Sequence, residues 1–185
     1  MLKLLFISAL LFFQIHISAN AEKETSKIES IQQLAQGGDA DAQFALGIRY
    51  TLGEGVLQDD KEAVKWFKLA AEQGDAKAQY MLGLAYDFGE GVLEDDKEAV
   101  KWYKLAAEQG HAGGQLDLGH MYKRGKGVPQ SFITSYSWAN ISRYNGATEE
   151  RLLTDLEKKM SMNDISKAQA LSKRCLESNY KNCGS

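Results

Sequence analysis

Histidines, cysteines and paired carboxylates are the side chains here whose types and spacing could do chemistry. His111 and His120 would suit metal binding or proton transfer, but nine residues apart they do not share a helix face. No H-x-x-x-H or C-x-x-C accompanies them, and the remaining histidine, His16, lies in an apolar leader. No metal site and no cofactor are therefore expected. His111 is expected at a solvated turn position, and His120 in a partly buried one. Asp59-Asp60 and Asp95-Asp96 stand where helices should begin, and capping plus the helix dipole account for them. Stacked as a ladder on one rim, they could also form a weak cation site.

Cys175 and Cys183 are the two cysteines, and their environment follows from the other end of the chain. "MLKLLFISALLFFQIHISANA" has one early lysine, an apolar run from Leu4 to Ile17 and a small-x-small site at Ala19-Asn20-Ala21. That reads as a signal peptide over residues 1–21, cleaved after Ala21, for a periplasmic or secreted protein. The run is shorter than the roughly 20 apolar residues that span a bilayer, so no membrane span is expected after cleavage. An uncleaved anchor is the alternative. Export favours a Cys175–Cys183 disulfide. Eight residues on a straight helix would hold the pair about 12 Å apart, so the chain must leave the helix near Asn179 and fold back.

Without Lys3 the chain carries 21 basic side chains (22 less one) against 25 acidic, a net charge of −4. The charges are interspersed and form no basic stripe, which argues against nucleic acid as a partner.

Positioning falls to a repeat. "GEGVLQDDKEAVKWFKLAAEQG" at 53–74 returns at 89–110 with two changes, Gln58/Glu94 and Phe67/Tyr103. A weaker third copy follows, with Gln43/Gln79/Gln115, Gly47/Gly83/Gly119, Tyr50/Tyr86/Tyr122 and Trp66/Trp102/Trp138 all 36 residues apart. Such a period marks stacked supersecondary units. Each unit reads as two helices, A over about 39–52, 75–88 and 111–124, and B over about 59–73, 95–109 and 131–145. Asp59, Asp95 and Ser131 are placed to cap the B helices. One such pair cannot bury its apolar face alone and must stack on its neighbours. The expected organisation is an N-terminal capping helix in 22–37, repeats at 38–73, 74–109 and 110–146, and a helical C-terminal cap with the cysteine pair at 147–185. Ser161 with Asp164 resembles a capping box in that last segment.

"AQYMLGLAYDFGEGVLEDDKEAVKWYKLAAEQG" resembles the Sel-one-like repeat (SLR) family, relatives of the tetratricopeptide repeat. The likeness covers about 38–146 and weakens in the third copy, where "SYSWANISRYNG" replaces the Ala-Ala ending. It implies an all-α, right-handed α–α superhelical solenoid of 36-residue helix pairs. It also implies a non-enzymatic adaptor or scaffold that binds a protein or peptide. Cysteine-rich members of the family suggest an alternative, β-lactam binding or weak hydrolysis, which would want a serine with a nearby lysine. The sole S-x-x-K is Ser178 to Lys181, in the tail, with no S-D-N or K-T-G, and these repeats lack the cysteine staples. A passive spacer is a further alternative.

The two near-identical copies differ mainly on helix A, so recognition is expected there. At about 100° per residue, Ala42, Leu46 and Tyr50 share one face, with Phe44 and Ile48 roughly opposite, and both faces are expected to pack. The remaining stripe is Asp41/Lys77, Ala45/Met81/Asp117, Arg49/Ala85/Met121 and Leu52/Phe88/Arg124, mixed in chemistry and different in every copy. Peptide contacts are accordingly expected from Arg49, Lys77, Met81, Phe88, Asp117, Met121 and Arg124 on a concave surface. The constant Gln43/Gln79/Gln115 ladder suits a buried amide linking repeats, the favoured reading, or a sequence-blind grip on peptide backbone.

Overall fold

The structure, a computed structural model, describes residues 26–148, 150–181 and 183; the expected leader lies outside them. Helix α1 runs over 26–36. It is followed by α2 (Ala40–Leu52), α3 (Asp60–Glu72), α4 (Ala76–Phe88), α5 (Asp96–Glu108), α6 (Ala112–Arg124), α7 (Phe132–Tyr144), α8 (Arg151–Glu157) and α9 (Met162–Glu177). The described residues contain no strand. Each helix packs on the next from α2 to α8, while α9 lies on α7, so the pairs α2–α3, α4–α5 and α6–α7 stack as a solenoid. The A helices are α2, α4 and α6, and α4 also touches α6 directly.

Local chemistry sets the boundaries. Asp39 and Asp75 accept from the backbone N–H of Ala42 and Ala78 at 2.8 and 2.6 Å, starting α2 and α4. Asp59 and Asp95 each accept from two N–H groups at the starts of α3 and α5, and Ser131 accepts from Thr134 at the start of α7. Of the expected capping box at α9, Ser161 Oγ accepts from Asp164 N–H at 3.1 Å, and the Ser161 hydroxyl donates to the Asp164 carboxylate at 2.9 Å.

Stacking depends on small residues at fixed places. A Cβ on Gly47 or Gly83 would come within 2.5 Å of the Phe67 or Tyr103 ring, so each A helix lies directly against a B-helix aromatic. In the third pair Ala139 takes the ring's place, and the Ser135 hydroxyl donates across the contact to Gly119 O at 2.7 Å. The A–B turns interlock with the preceding unit. Gly91 and Gly127 have φ of 72° and 66°, and a Cβ on either would sit 2.2 Å from the carbonyl oxygen of Asp60 or Asp96. Only glycine satisfies both the conformation and the approach. In the first copy Gly55 meets Ile28 of α1, which shows α1 standing in for a preceding B helix.

The glutamine ladder is a structural clamp. Gln43, Gln79 and Gln115 donate from Nε2 to the carbonyls of Ala35, Ala71 and Ala107 at 3.1, 3.2 and 3.0 Å. These carbonyls lie in the last turn of the preceding B-type helix, where intrahelical partners run out. The same amides accept from Gln73, Gln109 and Asn145 at 2.7, 2.7 and 2.9 Å. Each glutamine thus ties three successive helices together.

At the C-terminal end Leu152, Leu153 and Leu156 of α8 bury against α7, together with Ala168 of α9. The chain then turns back through Asn179 and Tyr180, both with left-handed backbone (φ 50° and 64°). A Cys175–Cys183 disulfide with Cα atoms 4.4 Å apart closes this turn, as expected. The Tyr180 hydroxyl donates to Asn145 at 3.1 Å, joining the tail to the last rung of the ladder.

Candidate functional site

Helix A is where the copies differ, and its exposure sorts the expected residues. Positions 42, 46 and 49, spaced i, i+4, i+7, form one packed stripe that includes Ala85 and Met121. Met121 is 1% exposed and Arg49 9%, which corrects their expected place on an open surface. Arg49 donates through Nη1 to the Glu54 carbonyl at 3.2 Å, bracing the A–B turn. Met121 lies in a core with Leu118, Trp138 and Ile141.

The open stripe lies one residue earlier, at 41, 45, 48 and 52 and their equivalents. It brings Lys77, Met81, Phe88, Asp117 and Arg124 to one face and adds a row that sequence reasoning had assigned to packing, Ile48/Leu84/His120. Phe88 is 65% exposed and Leu52 60%, while Met81, Leu84 and Ile48 are half-buried. The Lys77 ammonium sits 6.0 Å above the Phe44 ring centroid. Asp117 is held by the Tyr80 hydroxyl, which donates to it at 3.1 Å. Burial, reinforced by that carboxylate, pushes the Tyr80 phenol up, so it remains a donor.

Along the solenoid this stripe changes chemistry. The row 52/88/124 reads Leu, Phe, Arg, and the row 48/84/120 reads Ile, Leu, His. Beyond α6 a cleft of ≈ 450 Å³ is lined by His120, Lys123, Arg124, Arg151, Leu152 and Asp155. Lys123 and Asp155 pair at 3.0 Å, and the lysine holds the Asp155 carboxyl below its usual range.

The other chemistry-bearing residues have structural partners. His111 is not a solvated turn residue but the N-cap of α6: its Nδ1 accepts from Gly114 N at 3.1 Å. Its ring lies 4.6 Å from that of Tyr80, and half-burial lowers its pKa. The rim considered as a cation site is filled in one copy by Lys126, whose ammonium lies 3.0 Å from Asp96, 3.4 Å from Asp87 and 3.6 Å from Glu94. The close Asp96 carboxylate chiefly holds the Lys126 pKa up. Ser178 donates its hydroxyl to the Cys175 carbonyl at 3.0 Å, at the end of α9. Among the described residues no group of three or more His, Cys, Asp or Glu side chains could hold a metal ion.

A larger cleft, ≈ 730 Å³, lies on the other side, between Lys104 of α5, Tyr122 of α6, Trp138 of α7, Arg174 of α9 and the disulfide-closed tail.

Comparison with known proteins agrees with this architecture. The Sel1 repeat model matches residues 40–75, 76–111 and 112–146. The crystal structure of a Sel1 repeat protein from Oxalobacter formigenes is similar at a TM-score of 0.63 and 34% identity, covering 71% of this chain and 98% of that one. The crystal structure of c5321, a protective antigen of uropathogenic Escherichia coli strains with an SLR fold, is similar at a TM-score of 0.57 and 26% identity. That likeness covers 83% of this chain and 42% of the other. None of the curated proteins matches the chain. With three matched repeats, stacked helix pairs and solved relatives of the same design, the chain belongs to the Sel1 repeat family.

Proposed function

We propose that this protein is an exported, non-enzymatic adaptor that holds a protein or peptide on the open stripe of its A helices. One observation carries the reading. Leu52 and Phe88, 60% and 65% exposed, lie on the face that varies between copies, whereas the turn and B helix are repeated almost unchanged. Apolar side chains that stay wet on a variable face favour recognition over packing. The Sel1 repeat solenoid is itself a scaffold suited to protein–protein interaction. Export is supported by the apolar leader and by the Cys175–Cys183 disulfide, a bond that persists in oxidising compartments. Among the described residues no helix is long and apolar enough to cross a membrane.

The test is site-specific photocrosslinking in the native cell. A crosslinker at Phe88 or Met81 is expected to trap a discrete partner, and one at Lys65 on the exposed side of α3 to trap none. Equal, diffuse labelling from both places would remove the basis for the reading.

A further inference from the structure

The change of chemistry along the open stripe specifies what kind of peptide it suits. In both rows the first two repeats offer apolar side chains, Leu52 with Phe88 and Ile48 with Leu84. At the third repeat the row ends in a cation, Arg124, which lines the ≈ 450 Å³ cleft together with Arg151 at the start of α8, while the stripe's Asp117 is held by Tyr80. Among the described residues lining that cleft, Asp155 is the carboxylate, and Lys123 engages it at 3.0 Å. Arg124 and Arg151 are both exposed. This local excess of positive charge stands out in a chain whose net charge is −3.

Spacing supplies the rest. Packed helices lie about 10 Å apart, and an extended chain advances about 3.3 Å per residue. A peptide crossing the A helices therefore moves roughly three residues per repeat. We propose that the open stripe takes an extended peptide carrying two apolar side chains and then a carboxylate, at three-residue intervals. The apolar pair sits against the first and second repeats, and the carboxylate meets Arg124 and Arg151. The proposal rests on the stripe being the recognition surface. The carboxylate is either an Asp or Glu side chain or the peptide's own C-terminus.

Fluorescence anisotropy on the purified protein tests this. The probe is a fluorescein-labelled, amidated Leu-Ser-Gly-Phe-Ser-Gly-Glu, run beside its reversed order, its Gln-for-Glu version and a version ending in a free glycine carboxylate at the same place. The acidic probe, in one order, is expected to bind about fivefold tighter than the Gln version, with the advantage shrinking as salt is raised. R124E should abolish or invert that preference, weakening the Glu probe relative to the Gln probe. Tight binding of the free-carboxylate version would assign the carboxylate to a C-terminus, and of the Glu version alone to a side chain. If Glu and Gln probes bind equally and F88S weakens both, the stripe binds peptides and the carboxylate proposal is wrong. If no probe binds, the peptide proposal is overturned, and photocrosslinking at Phe88 and Met81 then decides separately whether the stripe is a recognition surface.

Discussion

Replacing Gly83 with alanine sets two opposed effects against each other. In an ordinary helix interior Gly→Ala stabilises by about 1 kcal/mol, because glycine loses more backbone freedom on folding. At position 83, however, the new Cβ would stand 2.5 Å from Cδ1 and 2.6 Å from Cε1 of Tyr103. Carbon atoms in contact prefer about 3.5–4.0 Å, so the ring must retreat by roughly 1 Å. It has nowhere to go: Tyr103 is 0% exposed. Overpacking of this kind costs about 1–3 kcal/mol. Displacing the ring also strains the Tyr103 hydroxyl's 3.3 Å bond to Asp87, worth about 1 kcal/mol. The propensity gain offsets only part of this, leaving a net loss of about 1–3 kcal/mol. Urea unfolding reads it as a lower midpoint at unchanged slope. The companion G83A/Y103L isolates the cause, since leucine leaves room for the Cβ and G83A should then cost nothing or stabilise. A G83A protein with a raised midpoint would refute the wedge between α4 and α5.

Further outcomes follow from the same contacts. Only neutral His111 can cap α6, because its Nδ1 accepts the Gly114 N–H, and burial holds its folded pKa below the ordinary 6.5. The folded state thus binds fewer protons than the unfolded one, so this residue's contribution is complete above pH 6.5 and is lost as pH falls through the lowered folded value. H111D, the residue type of the equivalent Asp39 and Asp75, should keep the cap and flatten that part of the pH–stability curve in urea titrations. Gln79→Ala removes a clamp that touches both Ala71 and Gln109, and should cost about 1–3 kcal/mol in thermal unfolding. Gln73→Ala, at an exposed position, should cost less than about 1 kcal/mol by the same measurement. Cys183→Ser opens an eight-residue loop and should cost about 2–3 kcal/mol, with protease cleavage appearing first near Tyr180.

The helices, the caps of the B helices and the cysteine bridge were legible because each depends on local rules: an acid before an apolar run, glycines at fixed spacing, a turn short enough to bring two cysteines together. The open face was legible only in part. Period and angle give the direction of each side chain but not the arc of helix A that the neighbouring helices cover. Arg49 and Ile48 differ by one step around the helix, and what separates them is the A–B turn folding over Arg49. His111 was readable in principle, since it aligns with Asp39 and Asp75, both caps; a ring nitrogen doing a carboxylate's task concealed it. The path of Tyr180 was not readable, because two successive left-handed residues follow from the closed tail and not from their own preferences.

The seating of Gly91 on Asp60 recurs with Gly127 on Asp96, and the amide clamps recur with it. A segment of 36 residues spliced in at such a junction would meet, on either side, the surfaces it was shaped to meet in its parent location. Lengthening the protein by copying is therefore nearly free of invention, and selection is left to rewrite only the residues that face outward from helix A. The near-verbatim middle of this sequence has the form such a duplication event would leave behind.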